Sequence, residues 1–117
     1  MKSILVTIAA AALTVASAGL ASAQDAKAKG QKVYADQKCS VCHSIAGKGN
    51  AKGPLDNVGS KLSAEEIRQW IMDPAGMTAK AKAERKPPMT SVAAKMKALP
   101  KDDVDALVEY LSSLKGK

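Results

Sequence analysis

Two cysteines and a histidine stand close together in this chain, in the order Cys39-Ser40-Val41-Cys42-His43. In a turn of helix, residues three positions apart lie on one face, so both thiols can reach the same bound group. Two thiols at this spacing, followed directly by an imidazole, indicate covalent attachment of a haem through the vinyl groups of one porphyrin edge. His43 would then offer a nitrogen ligand to the iron.

Other uses of paired cysteines fit the chain less well. A Cys39–Cys42 disulfide is permitted in an exported protein, but so tight a loop would stabilise almost nothing. A thioredoxin-like redox pair needs a strand–helix–strand context, and no strand pattern surrounds the motif. A zinc site needs four ligands, whereas His43 is the only histidine and there are no further cysteines. We therefore expect one covalently bound haem c, with disulfide or redox chemistry as the alternative.

The N-terminal residues have the pattern of a secretory signal peptide. Lys2 is followed by an apolar run from Ile4 to Ala16 and then by Ala21-Ser22-Ala23, an A-x-A cleavage site. The apolar run is too short to span a bilayer comfortably, so we expect no transmembrane anchor after cleavage. The predicted organisation is a signal peptide at 1–23 and one domain at 24–117, in a periplasmic protein.

The predicted mature domain is small and poor in aromatic residues. It contains no phenylalanine, and its aromatic side chains are Tyr34, Trp70 and Tyr110. A core this thin often needs a bound group to be stable. Because a covalently held porphyrin would supply the missing apolar mass, the composition favours a buried cofactor.

The residue patterns predict an all-α domain. The first helix is predicted over Ala26–Gln37, a second begins at Ser63 and is stopped by Pro74, and the last spans Lys101–Lys115. Ser63 and Glu66 form a capping box at the start of the second helix. In the second and last helices, apolar residues recur every three or four positions. Each of these helices is therefore expected to bury one face.

The connections between these helices are less uniform. The loop at 44–60 is rich in glycine and lysine, and a loop this long in a small domain usually wraps something, here the proximal side of the haem. The segment at 75–86 is lysine- and alanine-rich, and the sequence leaves a partial helix there undecided. A short helix with Val92, Met96 and Leu99 facing inward is predicted before the last helix.

Taken in order, these motifs resemble a small bacterial class I cytochrome c over essentially the whole mature domain. The resemblance rests on the attachment motif, on Gly53-Pro54-Leu55 after it, on Trp70 in mid-chain and on Pro88-Met89 before a final amphipathic helix. It implies a class I cytochrome c fold with three or more helices around one haem, in which the N- and C-terminal helices cross closely. The residues that match such a crossing are Gly30, Tyr34 and Tyr110.

The resemblance also implies that a methionine from the C-terminal half is the second iron ligand. The mature domain has four methionines: Met72, Met77, Met89 and Met96. Met89 follows a stiff diproline that can hold its thioether in one place, so we assign the ligand to Met89, with Met77 as the alternative. Ordinary core packing explains Met96 better.

Two more residues are implied as cofactor contacts. Pro54 resembles the family proline whose backbone carbonyl orients the proximal histidine, which would fix the ring of His43 and raise its basicity. Trp70 resembles the tryptophan whose indole N–H contacts a haem propionate. The alternatives are an ordinary loop proline and a buried tryptophan that needs some partner in any case.

Charge indicates the kind of partner. Without Lys2, seventeen basic residues face eleven acidic ones, a net charge of +6. Lysines next to segments expected around the haem edge predict steering towards acidic redox proteins or membrane-bound respiratory complexes. A lysine surface that only keeps the protein soluble is the alternative. Nucleic acid is not expected as a partner, and we expect a monomer. The lysines concerned are Lys38, Lys48, Lys52 and Lys86.

The predicted function is a soluble periplasmic carrier that shuttles one electron between redox partners. His43 and Met89 would fill both axial positions of the iron and leave no site for a substrate, so we expect no catalytic residue and no enzyme. Two alternatives stay open: a non-catalytic cytochrome subunit of a larger redox enzyme, and a haem protein that senses or binds a gas at an open sixth position.

Overall fold

A computed structural model describes residues 17–84 and 86–116, with side chains from residue 24 onward. In this part of the chain the α-helices are α1 (Ser17–Asp36), α2 (Val58–Lys61), α3 (Ala64–Met72), α4 (Pro74–Ala81), α5 (Ala93–Lys97) and α6 (Lys101–Ser112). Short 3₁₀ turns cover Cys39–Val41 and Met89–Val92, and an antiparallel hairpin pairs β1 (Ser44–Ile45) with β2 (Lys48–Gly49). The architecture is all-α, as predicted.

The predicted signal peptide lies largely outside the described residues. Helix α1 begins before the predicted cleavage position and continues through it. Within the ranges given above, no helix is both long enough and apolar enough to cross a membrane.

The centre of the fold is the crossing of α1 and α6. A Cβ atom at Gly30 would lie 2.5 Å from Tyr110 Cβ and even closer to the Ala106 carbonyl oxygen. Any side chain at this position would push the two helices apart, which explains a glycine that costs the helix roughly 1 kcal/mol relative to alanine. The rings of Tyr34 and Tyr110 pack edge to face beside it, with centroids 6.2 Å apart. The predicted close crossing is confirmed.

The core lies where α3 and α5 pack against this helix pair. Its buried aliphatic side chains are Val33, Ile67, Ile71, Met96, Val104, Leu107, Val108 and Leu111. At the surface of the same helices, Lys29 pairs with Asp103 at 3.5 Å, and Arg68 pairs with Asp105 at 2.7 Å. Exposed ion pairs contribute little to stability, so apolar burial dominates here.

Helix α3 begins at the predicted capping box. Ser63 Oγ accepts the Glu66 N–H at 3.1 Å, and Glu66 Oε1 accepts the Ser63 N–H at 3.1 Å. These hydrogen bonds lower the pKa of the Glu66 carboxyl. Pro74 ends α3, as predicted, but it also occupies the first position of α4, where its missing N–H is harmless. Asp73 caps α4 by accepting the Gly76 N–H at 3.2 Å.

Two other elements differ from the prediction in extent. The undecided segment at 75–86 is helical as far as Ala81, and Lys82 ends it in a left-handed conformation with φ 51°. The last helix ends at Ser112, not Lys115, because Ser113 Oγ donates to a helix carbonyl one turn back at 2.6 Å. Side-chain bonds of this kind compete with helix propagation.

Candidate haem site

The attachment motif lies on a tight turn that follows α1. Lys38 adopts a left-handed conformation with φ 57° and separates the helix from the 3₁₀ turn. The backbone N–H groups of Cys42 and His43 then both donate to the Cys39 carbonyl oxygen, at 3.1 and 2.9 Å. This turn brings Cys39, Cys42 and His43 to the lining of one cavity. Burial raises the pKa of the Cys39 thiol, and the nearby Lys95 ammonium opposes that rise.

His43 is oriented by a backbone carbonyl. Its Nδ1 lies 3.0 Å from the Gly53 carbonyl oxygen, which also accepts the Ser44 N–H at 3.1 Å. A carbonyl oxygen can only accept, so Nδ1 carries the proton and donates it. Nε2 therefore keeps its lone pair for a metal ion, the usual arrangement for a metal-binding histidine.

The prediction that the Pro54 carbonyl orients His43 is wrong by one residue. Pro54 forms a short parallel bridge with Ser44, and the Leu55 N–H donates to the Ser44 carbonyl at 2.8 Å. This pairing turns the Gly53 carbonyl towards the imidazole ring. Pro54 itself is exposed and does not line the cavity that His43 lines. Because the Gly53 carbonyl belongs to the peptide bond that leads into Pro54, the sequence located the correct peptide but the wrong oxygen.

The loop after His43 folds back over the attachment turn. The Asn50 N–H donates to the carbonyls of Ser40 and His43, at 3.1 and 3.0 Å, and Asn50 Nδ2 donates to the Val41 carbonyl at 3.1 Å. Gly49 has φ 112°, and a Cβ there would lie 3.0 Å from the Ser40 carbonyl oxygen. Asn50 was not singled out from the sequence, although a Gly–Asn pair in a loop is a signal for side-chain bonding to the backbone.

An apolar cavity of about 330 Å³ extends from this turn to the C-terminal half of the chain. The thiol, imidazole and thioether groups in its lining are those of Cys39, Cys42, His43, Met89 and Met96. Most of the remaining lining is aliphatic and includes Leu55, Val58, Leu62, Ile67, Ile71 and Leu107. The cavity therefore combines two thiols with an imidazole whose Nε2 is oriented for metal binding, and its lining is largely apolar. A covalently attached haem requires these donors and these surroundings.

Comparison with known proteins gives the same interpretation. Residues 27–115 match the protein family described as Cytochrome c. The chain belongs to the cytochrome c family. It is therefore a class I c-type cytochrome, of a family that binds haem c covalently and transfers electrons through it, and Cys39, Cys42 and His43 fit the attachment motif of that family.

One relative links this cytochrome to a larger protein. This chain is 28% identical over 96 residues to a protein named cytochrome c oxidase subunit 2 from Alkalihalophilus pseudofirmus. The match covers 74% of this chain and 25% of the relative, so the chain spans about a quarter of that protein's length. No solved structure gives a significant match.

The structure distributes the cytochrome's other candidate residues between two cavities. Trp70 is half-buried on α3 and lines both the haem cavity and a second cavity of about 490 Å³. Met77 is buried, with 8% of its surface exposed, and lines the second cavity only. Met96 lines the haem cavity, but it is 3% exposed and belongs to the core. Met89 lines the haem cavity and is half-buried.

Tyr34 is a cavity residue that the sequence did not indicate as such. Its ring lines the haem cavity, and its hydroxyl is buried without a hydrogen-bond partner among the described residues. Burial raises the pKa of Tyr34 to about 12. An unpaired buried hydroxyl costs about 1–3 kcal/mol, so this orphaned group fits a cavity whose polar contacts are completed by a cofactor or an ordered water.

The four lysines predicted near the haem edge are exposed, and so is one apolar side chain of the attachment motif. Lys38, Lys48, Lys52 and Lys86 are all exposed, and Lys38 also lines the haem cavity. Val41, between the two cysteines, exposes 67% of its surface. The predicted role of these lysines in steering a partner stays a prediction, which the salt dependence of electron transfer tests.

Proposed function

We propose that this cytochrome is a periplasmic carrier of single electrons whose iron is held by His43 and Met89. The observation that carries the ligand assignment is that Met89 lines the cavity that Cys39, Cys42 and His43 also line. A bound haem supplies the redox chemistry, because its iron alternates between the ferrous and ferric states. The chain's own residues attach that group, orient its ligands and exclude water from it.

The other methionines are less suitable as ligands. Met77 lies on the second cavity, and Met72 packs against the core and lines neither cavity. Using Met96 as a ligand would remove a side chain that is 97% buried from a packed core, with a penalty of about 2–5 kcal/mol for lost packing. Met89 instead is half-buried in the 3₁₀ turn that follows Pro88, which is extended with φ −75° and ψ 158°, so it is not part of the packed core.

This ligand pair determines the proposed chemistry. If the His43 imidazole and the Met89 thioether both held the iron, no coordination position would be left for a substrate, so we propose a carrier and not an enzyme. Thioether ligation raises the midpoint potential relative to other axial pairs. The aliphatic lining from Ile67, Ile71 and Leu107 acts in the same direction, because a dry surrounding disfavours the extra positive charge of ferric iron.

Substitution of single methionines tests the assignment. In the oxidised holoprotein, Met89→Ala should abolish the weak sulfur-to-iron band in the far red and lower the midpoint potential. Met77→Ala should keep the band, since its side chain lies on the second cavity. Met96→Ala should keep the band but lose about 2–5 kcal/mol of unfolding free energy.

Each contrary result identifies a different alternative. A Met77→Ala protein without the band, together with a Met89→Ala protein that keeps it, would move the ligand to Met77. A wild-type protein without the band, whose reduced form binds carbon monoxide readily, would favour a gas-binding haem with an open sixth position.

A second candidate function is that of a non-catalytic electron-transfer domain bound to a terminal oxidase. The match to a quarter of an oxidase subunit 2 favours it, because a similar sequence there forms part of an oxidase subunit. Affinity purification of the full chain from its native membranes and soluble fractions distinguishes the two. Stoichiometric recovery with an oxidase would support the subunit, whereas recovery alone in the periplasmic fraction supports the carrier and its location.

A further inference from the structure

One side chain links the Met89 segment to the attachment turn. Lys95 Nζ donates to the Gln37 carbonyl oxygen at 2.6 Å, across 58 positions of sequence. Among the described residues, the other hydrogen bonds of the segment 86–97 are local. Ser91, for example, donates to the Pro88 carbonyl from both its N–H and its Oγ, at 3.0 and 2.8 Å.

The carbonyl that Lys95 binds occupies a sensitive position. Gln37 follows the last residue of α1, where a helix leaves carbonyl groups without helical partners. A cation at this end also interacts favourably with the helix dipole. Gln37 lies two positions before Cys39, and both residues line the haem cavity.

The other end of the link leads directly to Met89. Lys95 belongs to α5, and α5 follows the 3₁₀ turn Met89–Val92 without an intervening loop. The next residue, Met96, is buried in the core and also lines the haem cavity. Helix α5 is therefore held on two sides, by Met96 through apolar packing and by Lys95 through a hydrogen bond to the end of α1.

We propose that Lys95 is a positioning residue for Met89. Its bond to Gln37 holds α5 against the end of α1 and keeps the turn that carries Met89 beside the cavity. This inference rests on the proposed ligation by Met89. Without the bond, the segment spends a larger fraction of time with Met89 away from the iron, and an external ligand competes more successfully for the vacated position.

Titration of the oxidised holoprotein with imidazole measures that fraction. In the Lys95→Met variant, which keeps the aliphatic stem but loses the donor, the apparent dissociation constant for imidazole should fall roughly 2- to 10-fold. Lys95→Arg retains a donor and the charge and should stay within about twofold of the wild type. Lys97→Met removes an exposed lysine from the same helix and is the matched control.

The result separates this inference from the ligation on which it rests. If Met89→Ala loses the far-red band but Lys95→Met and Lys97→Met bind imidazole equally, the role of Lys95 is overturned and the ligation stands. If Met89→Ala keeps the band, both proposals fall. A Lys95→Arg variant as affected as Lys95→Met would also overturn the role. Equal denaturant midpoints for Lys95→Met and Lys97→Met are expected, because a positioning role concerns the segment and not the whole fold.

Discussion

The two walls of the haem cavity are built in different ways. The packed wall, formed by α1, α3 and α6, buries Ile67, Ile71 and Leu107 and includes the close crossing at Gly30. The ligand wall, formed by residues 82–84 and 86–92, consists of exposed or half-buried residues whose hydrogen bonds are local. Apolar burial holds the first wall, whereas a few anchors at its ends hold the second.

This difference separates two requirements of a redox site. The packed wall and the turn beside it carry the covalent attachment, which needs a fixed geometry. The ligand wall contributes one thioether, and regions with few buried contacts open at a lower free energy than a packed core. We therefore expect changes in the packed wall to alter global stability, and changes in the ligand wall to alter spectrum and ligand exchange first.

The largest effect is expected when the cofactor cannot attach at all. Cys39→Ala combined with Cys42→Ala removes both thiols, so the protein should show no haem stain on a denaturing gel. Because so small a domain has little other core, its far-UV circular dichroism should also show a largely unfolded chain. Ser40→Ala, inside the same motif, is the control and should retain both. Strong haem staining in the double variant would contradict attachment through Cys39 and Cys42.

A smaller effect is expected at the helix crossing. Gly30→Ala places a methyl group against Tyr110 and the Ala106 carbonyl, and such overpacking should lower the free energy of unfolding by about 1–3 kcal/mol. Gln31→Ala, at the exposed next position, should change it by about 0.5 kcal/mol or less. Urea unfolding of the holoproteins measures both. If Gly30→Ala changed the free energy of imidazole binding more than the free energy of unfolding, the division between the two walls would be wrong.

Tyr34 tests the packed wall through pH. Its folded-state pKa is about 12, whereas an unfolded chain releases the proton near 10.0. The contribution of the neutral phenol is complete below pH 10 and is lost as the pH rises towards 12, because the unfolded state then binds fewer protons. Above pH 10, wild-type stability should fall faster than that of Tyr34→Phe, by about 1.4 kcal/mol per pH unit at most. Parallel curves would show that Tyr34 ionises equally in both states.

The smallest effect is expected at the surface lysines. Electron transfer to an acidic partner should slow as salt rises from 0.01 to 0.1 M, where the Debye length falls from about 30 to about 10 Å. Charge reversal at Lys48, Lys52 and Lys86 should flatten this dependence. The control reverses exposed lysines elsewhere, at Lys27, Lys32 and Lys115. A wild-type rate indifferent to salt would leave docking to apolar contact around Val41.

Local chemistry explains which features could be predicted from the sequence. The attachment motif and the capping box at Ser63 are short-range patterns with fixed spacing, and both have the predicted local geometry. The close crossing at Gly30 was implied by the family resemblance, and the small size of glycine is the local reason for it. The family resemblance supplied the fold class, which the match over residues 27–115 confirms.

The features that were missed depend on contacts between distant residues. The chain that follows α6 makes such a contact, because the Leu114 carbonyl accepts the Gly59 N–H at 2.9 Å. The Gly53 carbonyl, and not the Pro54 carbonyl, binds His43 because Pro54 forms a bridge with Ser44. No spacing rule specifies that bridge. The buried hydroxyl of Tyr34 and the link from Lys95 to Gln37 likewise become visible only when separate helices are brought together.

The Gly53 carbonyl accepts hydrogen bonds from both His43 and Ser44, and this affects how fast His43 would return to a bound iron compared with the proposed ligand Met89. The bond from His43 Nδ1 prevents free rotation of the ring, and covalent attachment through the neighbouring Cys42 would keep the iron within reach. A broken iron–imidazole bond would therefore re-form on the timescale of a side-chain motion. Return of Met89 requires a whole segment to settle again, which is slower. If Met89 is the second ligand, as proposed above, thermal or chemical stress should remove the thioether from the iron long before the imidazole.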